Sequence, residues 1–265
     1  MLLWSRRSRG VTLAVFGIVV LVVFMLPLGT VLLAGLAGSW TGPLPSDLGF
    51  ARFGDALSGQ DLASLSVSLQ TAFLAGGFAL VVGTWAALAA REAPDWLRRI
   101  TDAVFHLPIA VPSVAIGLGL LIAFNSKPLL LGGTRWIVIL AHAVLVMAFA
   151  FSAVSAALDR LDPAYRQAAE SLGASPARVL IRVTLPLLLP ALGAAAGLAV
   201  ALSMGELGAT VMVYPATWKT LPVTIFGLTD RGQVFQAAAS TTLLLTVTLV
   251  SLIVLGRIRG RAALR

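Results

Sequence analysis

The 265-residue sequence contains no cysteine, only two histidines and two tyrosines, and just 11% charged residues. Without cysteine there is neither a disulfide framework nor a thiolate metal site. The charge deficit excludes an ordinary soluble domain, because such domains stay near about a quarter charged. No Gly-x-x-x-x-Gly-Lys-Ser/Thr loop occurs, so the chain supplies no phosphate cradle of its own. His106 and His142 are single histidines on apolar stretches, too far apart in sequence for a local metal motif, and are expected to be satisfied core histidines. No nucleophile or metal constellation suggests an intramembrane enzyme. Paired ionisable residues and internal repeats, the usual marks of a proton-coupled secondary transporter, are also missing. The net charge of +8 sits in short clusters beside apolar runs without interleaved aromatics, which argues against nucleic acid as a partner.

What the chain does have is apolar length, with 58% hydrophobic residues and a mean hydropathy of +0.96. About 20 apolar residues cross a bilayer core. Six uncharged stretches are long enough: Val11 to Leu36, Leu62 to Ala90, Ala103 to Ser126, Trp136 to Leu158, Val183 to Gly205 (continuing past Glu206), and Gly232 to Gly256. The expected fold class is therefore an all-α membrane protein with six transmembrane helices, held in a lipid bilayer. The first stretch follows Arg6, Arg7 and Arg9 as a signal peptide would, but its 26 uncharged residues exceed a signal core, so it reads as a retained anchor.

Lys and Arg orient the bundle. Fourteen of the 19 lie in the N-terminus, 91–99, 160–182 and the tail from Arg257, and the remaining five are Arg52, Lys127, Arg135, Lys219 and Arg231. This split predicts that both termini are cytoplasmic. The loop at 37–61 is rich in Gly, Pro, Ser and Asp and suggests a boundary. We expect an N-terminal helix and external loop over 1–61, a transport domain over 62–257, and a basic tail over 258–265 whose Arg259 and Arg261, with Arg257, meet anionic headgroups. Within the third stretch, Pro108 and Pro112 predict a kink, either lining a path or serving packing alone.

The segment between the fourth and fifth stretches is the richest in local signals. Asp162 followed by Pro163 can start a helix, Gly173 can end it, and Ser175 followed by Pro176 repeats the start signal. Leu161, Tyr165, Ala168, Ala169 and Leu172 share one helical face, with Arg166, Glu170 and Ser171 away from it. Such a helix can enter a groove on a partner or rest on lipid headgroups, and local physics leaves both open.

The spacing Gln167-Ala168-Ala169, three residues, Gly173, nine residues, Val183, one residue, Leu185-Pro186 resembles the EAA loop of binding-protein-dependent ABC importer permeases. Gln stands for Glu at 167 and Val for Ile at 183, so position 167 loses a charge. The resemblance runs from about Ser64 to Arg257. It implies that Gln167, Ala168, Ala169, Glu170, Gly173, Leu185 and Pro186 belong to a cytoplasmic coupling segment that sits in a cleft of an ATPase subunit. It implies further partners: two ATPase subunits that hold ATP and Mg while this chain binds no cofactor, a second permease subunit, identical or sister, and an extracytoplasmic solute-binding protein. The chain would then be a bacterial inner-membrane transport subunit, not an enzyme.

Glu206, in Gly205-Glu206-Leu207-Gly208-Ala209-Thr210, is the acid within the apolar stretches. Counting from Leu187 at about 1.5 Å per residue places it roughly 28 Å along the helix. Gly205 and Gly208 would let another backbone approach closely. We take Gly205, Glu206, Gly208 and Thr210 as pathway or gate candidates, with a structural hydrogen bond between helices as the alternative for Glu206. This run, with Thr220-Leu221-Pro222-Val223-Thr224-Ile225-Phe226 and Thr229-Asp230-Arg231-Gly232, is similar to permeases for oxyanions, most of all those for 2-aminoethylphosphonate. A small anionic or zwitterionic solute is the implied cargo, with molybdate or sulfate, thiamine or iron as alternatives.

Overall fold

The structure is a computed structural model and describes residues 6–262, with side chains over 8–257. The basic tail read over 258–265 lies outside the described side chains. In chain order the helices are α1 (Arg6–Val20), α2 (Leu26–Leu36), α3 (Ala51–Ala56), α4 (Gly59–Glu92), α5 (Asp95–Ala110), α6 (Ser113–Ala123) and α7 (Arg135–Asp159), then α8 (Pro163–Ser171), α9 (Pro176–Val179), α10 (Leu185–Met204), α11 (Gly208–Val213), α12 (Leu221–Asp230) and α13 (Val234–Ala262). Among the described residues there is no strand, only a bridge between Ser39 and Ser46.

The expected six spans appear as five long apolar helices and one broken pair. α5 and α6 meet at an angle of 108° across Val111 and Pro112. Pro108 stays inside α5, so the break falls at the second proline and not between the two. At 11 residues, about 16 Å, α6 is too short to cross a bilayer alone.

Two further prolines leave a matching mark. The π-helical segments Leu21–Met25 and Leu180–Thr184 are each followed by Leu-Pro, at Leu26-Pro27 and Leu185-Pro186. A proline ring clashes with the carbonyl four residues earlier, and a wide turn immediately upstream moves that carbonyl aside. The fifth apolar helix consequently runs unbroken from Pro176, earlier than the Val183 expected from composition.

The chain divides into two compact units, 1–63 with 224–245, and 64–223 with 246–265. In the first, Gly35 lies so close to α13 that a Cβ there would sit 3.0 Å from the Ala239 Cα. The Asp61 carboxylate is buried and accepts a hydrogen bond from the Ser240 hydroxyl at 2.6 Å. Arg52 donates to the carbonyls of Ala37 and Gly38 at 2.9 and 3.0 Å. The loop expected at 37–61 thus holds a short helix, α3, and the first turn of α4.

In the second unit α7 is the central helix. Small residues every four positions on α4, Ala75, Ala79, Gly83 and Ala87, let it lie against α7. Ala75 meets Ile139 and Ala143, Ala79 meets Val146, and Ala87 meets Phe151 and Val154, so the two helices run parallel. Leu188 joins the Phe151 end of α7 while Ala199 joins Val146, so α10 runs antiparallel to both. This is the alternation that successive membrane spans require. It puts α8 beyond the end of α7 and the paired helix breaks toward its start.

Candidate functional site

Each candidate region is built from helix ends. The first is the α8 segment, where the local signals work as expected. Asp162 accepts the Ala164 N–H at 2.8 Å, and Pro163 occupies the first turn, where a missing N–H costs nothing. At the other end, Gly173 N–H donates to the Glu170 carbonyl at 2.9 Å and Ala174 N–H to the Ala169 carbonyl at 3.1 Å. These are the two bonds of a Schellman cap, and they require the left-handed φ of +78° that Gly173 adopts. Ser175 stands at the start of α9 in extended conformation, but its side chain makes no cap hydrogen bond. There the proline alone carries the start signal.

The face expected to be apolar is largely uncovered, with Tyr165 57% and Leu172 88% exposed. Ala168 is exposed and Ala169 half-buried, whereas Leu161 packs against the core at the end of α7. Gln167 and Glu170 are exposed. Leu185 and Pro186 stand apart from α8, at the start of α10. Arg166, placed from sequence away from the apolar face, bridges Glu170 at 2.8 Å and Glu92 of α4 at 2.6 Å. The guanidinium pKa is raised by hydrogen bonds to Glu170 and Glu92, so it stays cationic. Spacing four apart could have revealed the Glu170 contact; nothing in the sequence pointed to Glu92, 74 positions away.

The second region lies where two chain breaks face each other. α10 does not continue past Glu206: it ends at Met204, and α11 begins at Gly208. Glu206 therefore does not sit 28 Å along an unbroken helix. Its carboxylate turns onto the new helix and accepts the Ala209 N–H at 2.8 Å. Opposite lies the α5–α6 break. A cavity of about 230 Å³ between them is lined by Pro108, Val111, Ser113, His142, Ser203 and Glu206, among others.

His142 is 1% exposed and satisfied at both ring nitrogens, with Ser203 Oγ at 2.7 Å and Thr210 Oγ1 at 2.8 Å. It is the core histidine expected, and it ties α7 to both α10 and α11. His106 differs: it is exposed, although both nitrogens have partners in the Asp102 carbonyl at 2.7 Å and Ser152 Oγ at 2.8 Å. The close approach expected at the two glycines occurs at one of them. A Cβ on Gly208 would collide with Ser113 Oγ and meet Val114 Cγ2 at 3.1 Å, whereas one on Gly205 would find only its own helix at 3.8 Å. A close backbone contact was missed from sequence: Gly117 of α6 faces α11 so closely that a Cβ would lie 2.6 Å from the Ala209 carbonyl oxygen. Thr210 is buried and held by His142, so Glu206 is the candidate of this group that lines the cavity.

Residues 79–262 match the family model described as binding-protein-dependent transport system inner membrane component. A Salmonella paratyphi A protein named "Putative 2-aminoethylphosphonate transport system permease protein PhnV" is 47% identical over 261 residues, covering 98% of each chain. The molybdenum transport system permease protein ModB of Escherichia coli K12 is 29% identical over 215 residues, covering 75% of this chain and 93% of that one. Among solved structures, a chain of a bacterial alginate ABC transporter, in complex with alginate pentasaccharide-bound periplasmic protein, superposes with a TM-score of 0.76. That match covers 98% of each chain at 20% identity, a likeness of fold alone.

Proposed function

The chain belongs to the binding-protein-dependent transport system inner membrane components, which are multi-pass transport subunits and not enzymes, and from that premise we propose that it is the permease through which an ATP-driven importer moves 2-aminoethylphosphonate. The observation that carries the substrate is the 47% identity over nearly the whole of both chains to a relative of that name. The relative named for molybdenum is far more distant, at 29%.

In this reading α8 is the coupling helix. It sits in a cleft of an ATPase subunit, with Gln167, Ala168, Ala169 and Glu170 at the contact, Gly173 as its turn, and Leu185 and Pro186 passing the motion into α10. The support is an apolar face with Tyr165 and Leu172 exposed, on a short helix capped at both ends, which is what a groove-binding helix presents. Closure of a pair of ATPases, which hold ATP and Mg, displaces two such helices and rocks a pair of permeases from inward-facing to outward-facing. The transport domain is taken as 62–257, preceded by a helix and external loop over 1–61 and followed by a basic tail over 258–265, with both termini cytoplasmic.

The cavity between the two helix breaks is the candidate gate, with Gly205, Glu206, Gly208 and Thr210 at its α10–α11 edge. The cavity is mostly apolar with a few polar groups, Ser113, His142, Ser203 and Glu206, and broken helices opposed across a cavity are how membrane transporters expose backbone and charge to a solute without exposing them to lipid. Glu206 supplies the charge and Gly208 the close contact.

The test is uptake into proteoliposomes that hold the permease with its ATPase, supplied from outside with its solute-binding protein. ATP-dependent accumulation of labelled 2-aminoethylphosphonate is expected only when all components are present. Accumulation of molybdate or sulfate and none of 2-aminoethylphosphonate would overturn the substrate.

A further inference from the structure

We propose that Arg166 is the positioning residue through which α8 moves the helix core, by holding the end of α4 through Glu92. The inference rests on the reading of α8 as the coupling helix. Glu92 is the last residue of α4, and Ala90 and Ala87, two and five residues before it, are buried with Phe151, Val154, Leu158 and Leu188. The ion pair therefore leads directly from a surface helix into the centre of the bundle. A planar guanidinium can hold two carboxylates from different nitrogens at once, and here Nη1 takes Glu92 while Nε takes Glu170. The second contact fixes the Arg166 side chain along α8, so the first cannot swing freely.

Close packing joins α8 to α9 and to the segment before α10. A cavity of about 380 Å³ lies between the end of α4, α8 and the α9–α10 connection, bordered by Leu88, Glu92, Tyr165, Arg166, Val183 and Leu187 among others. Leu161, just before α8, packs on the core, Tyr165 borders this cavity, and Leu172 at the end of α8 is exposed. The pair is itself half-exposed, and pairs of that kind contribute little to folding. Its loss is therefore expected in coupling and not in stability.

The complete complex with its ATPase and binding protein, reconstituted in proteoliposomes, tests this with Glu92→Gln, Arg166→Ala, and the double variant Glu92→Arg with Arg166→Glu. Both single variants are expected to assemble at wild-type yield and to melt at the wild-type temperature, while ATP hydrolysed per solute imported rises at least about fivefold. The exchanged pair should bring the ratio back toward wild type, a rescue that a purely structural role would not give. Wild-type ratios in both single variants, or lost assembly that the exchange does not restore, would overturn the proposal. An ATPase that fails to bind the wild-type chain would overturn the coupling-helix reading and this inference with it.

Discussion

The α8 segment and the cavity at Glu206 stand toward opposite ends of α7, with His142 and Asp159 separated by about 25 Å of helix, and they are held in opposite ways. α8 is capped by its own neighbours, uncovered on its apolar face, and tied to the bundle by charge on charge. The helix breaks are held by glycine contacts, by the Glu206 carboxylate on the Ala209 N–H, and by hydrogen bonds between the buried His142 ring and the Ser203 and Thr210 hydroxyls. In the proposed reading the first region engages a partner, and such a region can keep its energy local and leave its surface free. In the same reading the second region opens and recloses inside a membrane, which calls for many weak contacts from different helices, with the one carboxylate held on a backbone N–H.

The sharpest way to break this contrast is at Gly117. Replacement by valine puts a methyl-bearing carbon against the Ala209 carbonyl, backbone that cannot step aside, and is expected to cost about 3 kcal/mol. Thermal unfolding in detergent, with the yield of monodisperse protein, measures it; a wild-type midpoint would mean that α6 and α11 do not pack as described. His142→Ala comes next. It leaves the Ser203 and Thr210 hydroxyls without their partner, and about 2 kcal/mol of stability should be lost on the same measurement.

Gly173→Ala forces a side chain into left-handed backbone and should cost about 1 kcal/mol. The loss should fall on ATPase association, measured by co-purification, and leave the unfolding midpoint of the bundle nearly unchanged. The smallest stability effect is expected at Glu206→Gln, below about 1 kcal/mol, because an amide carbonyl can still accept the Ala209 N–H. Uptake, by contrast, should fall if the charge serves the gate. Unchanged uptake would make Glu206 a helix cap and nothing more.

Legibility from sequence followed the same division. Asp162, Pro163 and Gly173 act on residues within five positions, so cap and turn rules read α8 and its end correctly. The α5–α6 bend was foreseen from Pro108 and Pro112 for the same local reason. Glu206 was misread because apolar composition continues past it; the glycines at 205 and 208 on either side were the available sign of a break. His142 was expected to be satisfied, but its partners lie 61 and 68 positions away. The Gly117 contact with Ala209 likewise depends on how two helices meet. Such pairings come from packing, and hydrophobic periodicity does not encode them.

The central claim, that α8 is exposed because an ATPase covers it, is tested most directly by amide hydrogen exchange of the reconstituted permease with and without its ATPase. Residues 163–174 should exchange several-fold more slowly when the ATPase is bound, while 205–210 stay unchanged in the absence of ATP. Exchange over 163–174 that is indifferent to a bound ATPase, with protection appearing elsewhere, would contradict the account.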